Sequence, residues 1–313
     1  MKRIFLLLSA AFLLFTGCES TQERITKQSF AFDTVISITA DKKDKEHIDK
    51  ALGMCNEYEL IFSRTNPESE LYKINNLSVS TLSPHMENVL NFSLDFSEKT
   101  QGAFDITVAP LCALWNVNSR KEPPTEAEVK AALNTVGYEK LSLSPFSLNG
   151  ATLDLGAVAK GYIADKLAEG FREKGVDNVI IDLGGNVFVL GEYTVGIRNP
   201  SSPDEVFATI KLKDKSAVTS GAYQRYFEYE GKRYHHIIDP RTGYSAQSGI
   251  SSVTVVSPSS MHADALSTAI FILGEDALSL CNEFPDTDAL IITKDNKVIT
   301  TDNFEEKYNL SIQ

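Results

Sequence analysis

The sequence predicts a single α+β domain with mixed or antiparallel sheets and packed helices, preceded by a short N-terminal export segment. Three observations predict it. Helical periodicity dominates the first half of the chain, and short apolar or alternating runs of strand type dominate the second. The two kinds of segment never settle into strict βαβ alternation. No proline- or glycine-rich linker, internal repeat or low-complexity tract divides the 313 residues, which suffice for one large domain or two modest ones.

The N-terminus comes first in the order of elements. Lys2 and Arg3 precede an apolar run over residues 4–15, followed by Thr16, Gly17 and Cys18. That run is short for a membrane-spanning helix and fits the core of a signal peptide over residues 1–17. Residues 14–18 also resemble a bacterial lipobox, in which Cys18 is lipidated and becomes the new N-terminus. An ordinary secretory signal with an incidental cysteine is the alternative, and the cysteine falls where a lipobox needs it. The polar stretch after Cys18, up to residue 28, reads as a tether, with the folded domain at 29–313. The expectation is a membrane-anchored lipoprotein facing the periplasm or the outer side of the cytoplasmic membrane.

Removing residues 1–17 takes away two positive charges and no acidic residue, moving the net charge from −12 to −14. Such a field repels nucleic-acid phosphates, so nucleic acid is excluded as a partner and phosphate binding must be local or metal-assisted. Cys55, Cys112 and Cys281 lack metal-type spacing and read as small buried hydrophobes, with one disulfide pair left open.

Phe30, Phe32, Thr34, Ile36 and Ile38 alternate and predict one strand. Ile48, Leu52, Cys55, Tyr58 and Phe62 recur at helical spacing. So do Met86, Val89, Leu90 and Leu94, behind Ser83-Pro84, an N-cap with proline at the first helical position. Thr125 and Glu128 form a capping box for a short helix ending near Gly137. Residues 152–155 read as a strand end, Gly156-Ala157 as a turn, and 158–174 as a helix stopped by Gly175. Strands are expected at 176–181, 187–190, 194–197, 206–212, 217–219, 223–229, 233–238 and 253–256. Helices are expected at 260–273 and 276–281, and a closing hairpin joins 289–292 to 298–300.

Chemistry concentrates in residues 234–268, YHHIIDPRTGYSAQSGISSVTVVSPSSMHADALST. Asp264 and Thr268 are four apart, so on a helix their oxygens share a face, which suits a hard cation. In DLGAVAKG, Lys160 adds a positive charge to a helix start whose amides favour anions; a tight packing turn with a solvated Lys160 is the alternative. Asp105 sits in an apolar run and either caps a turn or faces a ligand. Asp182 precedes two glycines, as in a close backbone approach or a plain hairpin. His236 has a pKa range suited to acid-base work, whereas His235 points the other way and reads as packing or surface. His47, His85 and His262 read as solvated. The donors are mostly oxygens, which suits magnesium held together with a substrate phosphate rather than zinc.

DLGAVAKGYIAD, IDLGGNV, TSGAYQRYF, YHHIIDPRTG and ADALSTAIFILG, in that order, resemble the ApbE family of FAD:protein FMN transferases. GAFDITVAPLCALW and FSRTNPESEL match its N-terminal half. The resemblance implies a single T-fold-type domain that binds FAD and magnesium and moves FMN onto a threonine or serine of a target protein, releasing AMP. Such targets belong to membrane or extracytoplasmic redox complexes. Some members hydrolyse FAD to FMN and AMP instead, and a lipoprotein that only binds and stores flavin is a third possibility.

The resemblance further implies metal ligands at Asp264, Thr268 and the Ala157 carbonyl, with Ser267 as an additional one. It implies flavin contacts at Phe32, Thr65, Ala103, Phe104, Asp105, Asp154, Lys160 and Ile238, several through backbone atoms. His236 matches the histidine of the YHHIIDP motif, for acid-base work or for holding phosphates. Two departures stand out. Phe32-Asp33-Thr34 replaces the Met-Gly-Thr frequent near the first strand, and the family often has an aromatic residue near Thr65. The first would change how the isoalloxazine ring packs.

Overall fold

The strand expected over residues 30–38 is a hairpin in the computed structural model, which describes residues 23–79 and 81–313. The expected signal peptide and the lipidation site Cys18 lie outside the described residues. β1 (Arg24–Ala31) and β2 (Thr34–Asp41) turn at Phe32-Asp33, and period-two alternation runs on through a two-residue turn, which hides it. β1 also takes in residues 24–28, expected as tether. Their polar side chains suit a sheet edge, where Thr26 Oγ1 meets Thr39 Oγ1 at 2.8 Å.

Five helices follow: α1 (Lys45–Phe62), α2 (Glu70–Asn75), α3 (Pro84–Lys99), α4 (Ala109–Trp115) and α5 (Glu126–Leu133). Ser83 caps α3 by accepting from the Met86 amide, and both halves of the Thr125/Glu128 capping box form. α1 buries Ile48, Ala51, Cys55, Tyr58 and Phe62 as its spacing requires. After the small hairpin of β3 (Ser142–Leu143) and β4 (Phe146–Ser147), residues 152–155 are not a strand. Thr152 makes one bridge to Val108, and both backbone groups of Leu153 are taken by the Asn75 side chain, at 2.7 and 2.8 Å. α6 (Ala159–Glu173) then begins.

The second half supplies β5 (Val179–Asp182), β6 (Asn186–Leu190), β7 (Glu192–Arg198), β8 (Val206–Lys213) and β9 (Ser216–Gly221). Next come β10 (Tyr226–Tyr229), β11 (Lys232–His235), β12 (Ile238–Asp239), β13 (Tyr244–Ser245), β14 (Ile250–Ser257) and α7 (Ser260–Leu273). A 3₁₀ segment, Glu275–Glu283, stands where a second helix was expected. The chain closes with β15 (Asp288–Thr293), β16 (Val298–Thr300), α8 (Phe304–Tyr308) and β17 (Ser311–Ile312).

One sheet in the order β1-β2-β5-β6-β9-β14-β15-β16 carries the domain, and every neighbouring pair in it is antiparallel. Both faces are covered. Val179, Ile181, Val253, Val255 and Ile291 point into a core with α1, α3, α6 and α7. Ile180, Val189, Val256, Leu290 and Ile292 point the other way, onto β7, β8 and the buried Phe304 and Tyr308 of α8. Two-sided burial explains why these antiparallel strands read as unbroken apolar runs. The fold is α+β, as expected.

Candidate active site

α6 and α7 touch at Gly161. A Cβ there would lie 2.3 Å from the Ser260 carbonyl oxygen, so only glycine permits the approach. The contact lets the Gly161 N–H donate to Asp264 Oδ2 at 3.0 Å. Asp264 is 4 % exposed, and among the described residues this is its one side-chain hydrogen bond. Ser267 Oγ donates to the Asp264 carbonyl at 2.9 Å and lies 2.9 Å from Ser220 Oγ, which is 3.4 Å from Thr268 Oγ1. A buried carboxylate that accepts so little is costly unless another partner satisfies it. One carboxylate and three hydroxyls form an oxygen-only donor set. That fits magnesium, which keeps several waters and takes its remaining ligands from substrate phosphates.

The turn before α6 is built to hold its shape. Asp154 Oδ1 accepts from the Gly156 N–H at 2.9 Å, and Oδ2 pairs with Arg64 Nε at 2.9 Å. Its backbone N–H donates to the Ile106 carbonyl at 2.8 Å. Lys160 Nζ donates to the Gly156 carbonyl at 3.0 Å, so this lysine closes the turn rather than standing free in solvent. The half-buried Ala157 lies inside the turn. Cys112 packs beside Asp154, and burial raises its thiol pKa well above the usual value.

His236 is drawn in by its neighbours. Its backbone N–H donates to the Arg225 carbonyl at 3.1 Å, and Nδ1 lies 3.3 Å from the same oxygen. Burial, reinforced by the positive charges of Arg225 and Lys160, lowers its pKa to about 4, so the ring is neutral at pH 7. The carbonyl contact assigns the proton to Nδ1 and leaves the lone pair on Nε2. Arg225 also donates to the Asp33 carbonyl at 3.2 Å, which ties the β1–β2 turn to this histidine. His235 does pack: it is 4 % exposed, Nε2 lies 3.1 Å from the Ala246 carbonyl, and its ring meets the Phe271 ring edge-on.

The other expected residues fall into place unevenly. Asp105 caps a turn, accepting from the Thr107 N–H and hydroxyl at 2.7 Å each and from the Tyr138 N–H at 2.8 Å. Ala103 and Phe104 are buried. Ile238 turns its side chain into a small core with Leu111, Trp115 and Phe227. Thr65 is exposed beside Arg64, and Phe32 holds φ +55 in the hairpin turn. Asp182 accepts from the Gly184 and Gly185 amides at 2.9 and 3.1 Å, the plain-hairpin reading. Asp239 pairs with Arg241 through both its oxygens.

Two histidines expected to be solvated are not. His85 Nδ1 lies 2.7 Å from the Tyr162 hydroxyl, and His262 packs between Phe92 and Phe284, because these helix faces carry aromatic neighbours from distant segments. Arg64, Asn75, Gly161, Asp165, Ser220 and Arg225 were not singled out. All but Asn75 lie inside the quoted motifs DLGAVAKGYIAD, TSGAYQRYF and FSRTNPESEL, and their roles depend on partners far along the chain. Two concavities, of about 530 and 410 Å³, share Lys232 and Gln247. Neither is lined by His236, Lys160 or Asp264.

Fold and site together define an α+β protein with a cluster of side-chain oxygens where α7 meets β9, and with a neutral His236 held at the Arg225 carbonyl. The ApbE protein of Thermotoga maritima shares the architecture with a TM-score of 0.81 and 29% identity, over 91% of this chain and 99% of that one. The flavin transferase ApbE from Vibrio cholerae gives 0.79 and 25%, with the same coverage. A curated relative from Treponema pallidum, named FAD:protein FMN transferase, is 35% identical over 282 residues, which is 80% of this chain and 78% of that protein. A relative of the same name from Klebsiella pneumoniae is 32% identical over 268 residues, covering 82% and 85%. The sequence model described as "ApbE family" matches residues 32–291, and the chain belongs to that family.

Proposed function

We propose that this chain transfers the FMN part of FAD to a threonine or serine hydroxyl of a target protein, with magnesium, and releases AMP. The observation that carries this reading is the contact of α6 with α7. It sets the buried Asp264 and the hydroxyls of Ser220, Ser267 and Thr268 against the helix whose leading turn holds Ala157 and Lys160. The curated relatives bear the matching name.

Asp264, Ser267, Thr268 and the Ala157 carbonyl would hold the metal. Bound magnesium would neutralise charge spreading over the phosphoryl oxygens. His236 accepts the acceptor hydroxyl's proton on Nε2 while that oxygen bonds to the FMN phosphorus. The bond from this phosphorus to the bridging oxygen breaks, and AMP leaves with that oxygen. Lys160 and Arg225 supply positive charge that a protein of net charge −12 otherwise lacks near phosphates. The flavin would lie along Phe32, Thr65, Asp105, Asp154 and Ile238, and along the backbone of Ala103 and Phe104. Export and lipidation of Cys18 would hold the enzyme on the outer side of the cytoplasmic membrane, among redox complexes that carry the acceptor residue.

The test incubates residues 19–313 with FAD and magnesium, with and without a target carrying an acceptor threonine. AMP together with covalent flavin on the target, abolished by EDTA and by Asp264→Ala, is the expected result. AMP with free FMN and an unlabelled target would make the protein a pyrophosphatase. FAD recovered intact in both tubes would leave only flavin storage.

A further inference from the structure

We infer that Asp165 is a positioning residue for the metal site, acting through α7. The inference rests on the reading of Asp264, Ser267 and Thr268 as metal ligands. Asp165 lies on α6, one turn after Gly161, and its carboxylate reaches across to the first turn of α7. Oδ1 accepts from the Ser260 N–H at 2.6 Å, while Oδ2 accepts from the Met261 N–H at 3.0 Å and from Ser259 Oγ at 2.8 Å. Ser259 is itself the N-cap of α7, accepting from the His262 N–H at 3.3 Å.

Hydrogen bonds therefore cross between the two helices in both directions. α7 donates three to Asp165, and α6 donates one, from Gly161, to Asp264. The two contact points lie about one helical turn, or roughly 5.4 Å, apart along each helix. One point alone would leave α7 free to rotate about it. Two fix its rotation and its advance together, and Asp264, Ser267 and Thr268 ride on that helix as a rigid set. The contact also fixes which Asp264 oxygen is engaged: Oδ2 faces Gly161, which leaves Oδ1 to the metal. Both Asp165 oxygens are occupied by α7, so its influence on ligands passes through the helix.

Asp165→Asn preserves shape but turns an amide NH₂ towards groups that are themselves donors. The direct readout is Mn²⁺ affinity of the free protein, measured by electron paramagnetic resonance titration, alongside KM for FAD at saturating metal. Asp165→Asn is expected to weaken Mn²⁺ binding by roughly tenfold or more and to change KM for FAD by less than about twofold. Ser259→Ala removes one of the three bonds and should shift affinity in the same direction by less, which keeps the test available if Asp165→Asn does not fold. Thr125→Ala loosens α5, away from this contact, and should lower thermal stability while leaving Mn²⁺ affinity unchanged. Parental Mn²⁺ affinity in both α7-contact variants, or an equal loss in Thr125→Ala, would overturn the inference. A parent protein that binds no Mn²⁺ would instead overturn the metal-site reading on which it rests.

Discussion

His235 and His236 are adjacent in sequence and differ in surroundings: His235 ends β11 and packs against Phe271, whereas His236 lies in the bend after that strand, against the Arg225 carbonyl. The packing of His235 was expected from strand parity, but the strand expected over 233–238 breaks after His235, so parity does not reach His236. The tautomer of His236 was not legible, since the Arg225 carbonyl that sets it comes from another segment. His236→Gln should lower the transfer rate by about 10²- to 10⁴-fold, the usual worth of a positioned base. FAD binding, followed by flavin fluorescence, should survive, and loss of both together would assign His236 to binding instead. Asp105 teaches the same lesson about range. Its turn cap rests on Thr107, two residues away, but its second oxygen is taken by Tyr138, 33 positions away.

The same histidines set an acid limit on stability. Burial moves both from about 6.5 in the unfolded chain to about 4 in the folded one. Between those values the unfolded state binds more protons. The stability these groups contribute is therefore complete above about pH 6.5 and lost as pH falls towards 4. Asp165, raised by burial from 3.8 to about 6, works in the opposite sense, its contribution growing as pH falls through that range. His235→Gln should flatten the acid-side slope of urea-unfolding stability relative to the parent. An unchanged slope would mean that folded His235 already carries its proton.

At the scale of elements, local signals were read best where partners are close in sequence. The capping box of α5, the proline start of α3 and the span of α7 all follow from neighbouring residues. The β1–β2 turn was missed because Phe32-Asp33 lacks the Asn-Gly chemistry of such turns, although both residues hold positive φ, +55 and +56. For a phenylalanine that backbone is strained by about 1–2 kcal/mol. Phe32→Asn should therefore raise the thermal midpoint while weakening FAD binding, if the ring is kept there for the flavin. A variant more stable and equally tight for FAD would show that the strain serves some other purpose.

For the whole molecule, the absence of a linker and the broken βαβ alternation announced one α+β domain. They could not announce that its sheet is covered on both faces. The second cover depends on β7 and β8, which were expected as strands but not as a covering layer, and on the C-terminal α8, which no periodicity marked. Lys307 and Tyr308 fasten α8 to Asp288 at 2.6 and 2.7 Å, and Phe304 is fully buried against the sheet. Phe304→Ala should cost about 3–5 kcal/mol in denaturant unfolding, the range for a large buried aromatic. A cost below about 1 kcal/mol would mean that α8 is a loose appendage.

The order of strands in that sheet also sets a timetable. Ser37 of β2 pairs with Asp182 of β5, 145 positions later, and six α-helices, α1 to α6, intervene. The first hairpin can close by itself, but its neighbour arrives only after more than half of the chain has been made. Ser37 to Ala40 stay without their β5 partners until then, an unpaired edge that other chains could join. Folding should be slow, with closure of the β2–β5 seam as its late and limiting event, and the nascent chain is most exposed to mispairing before that seam forms.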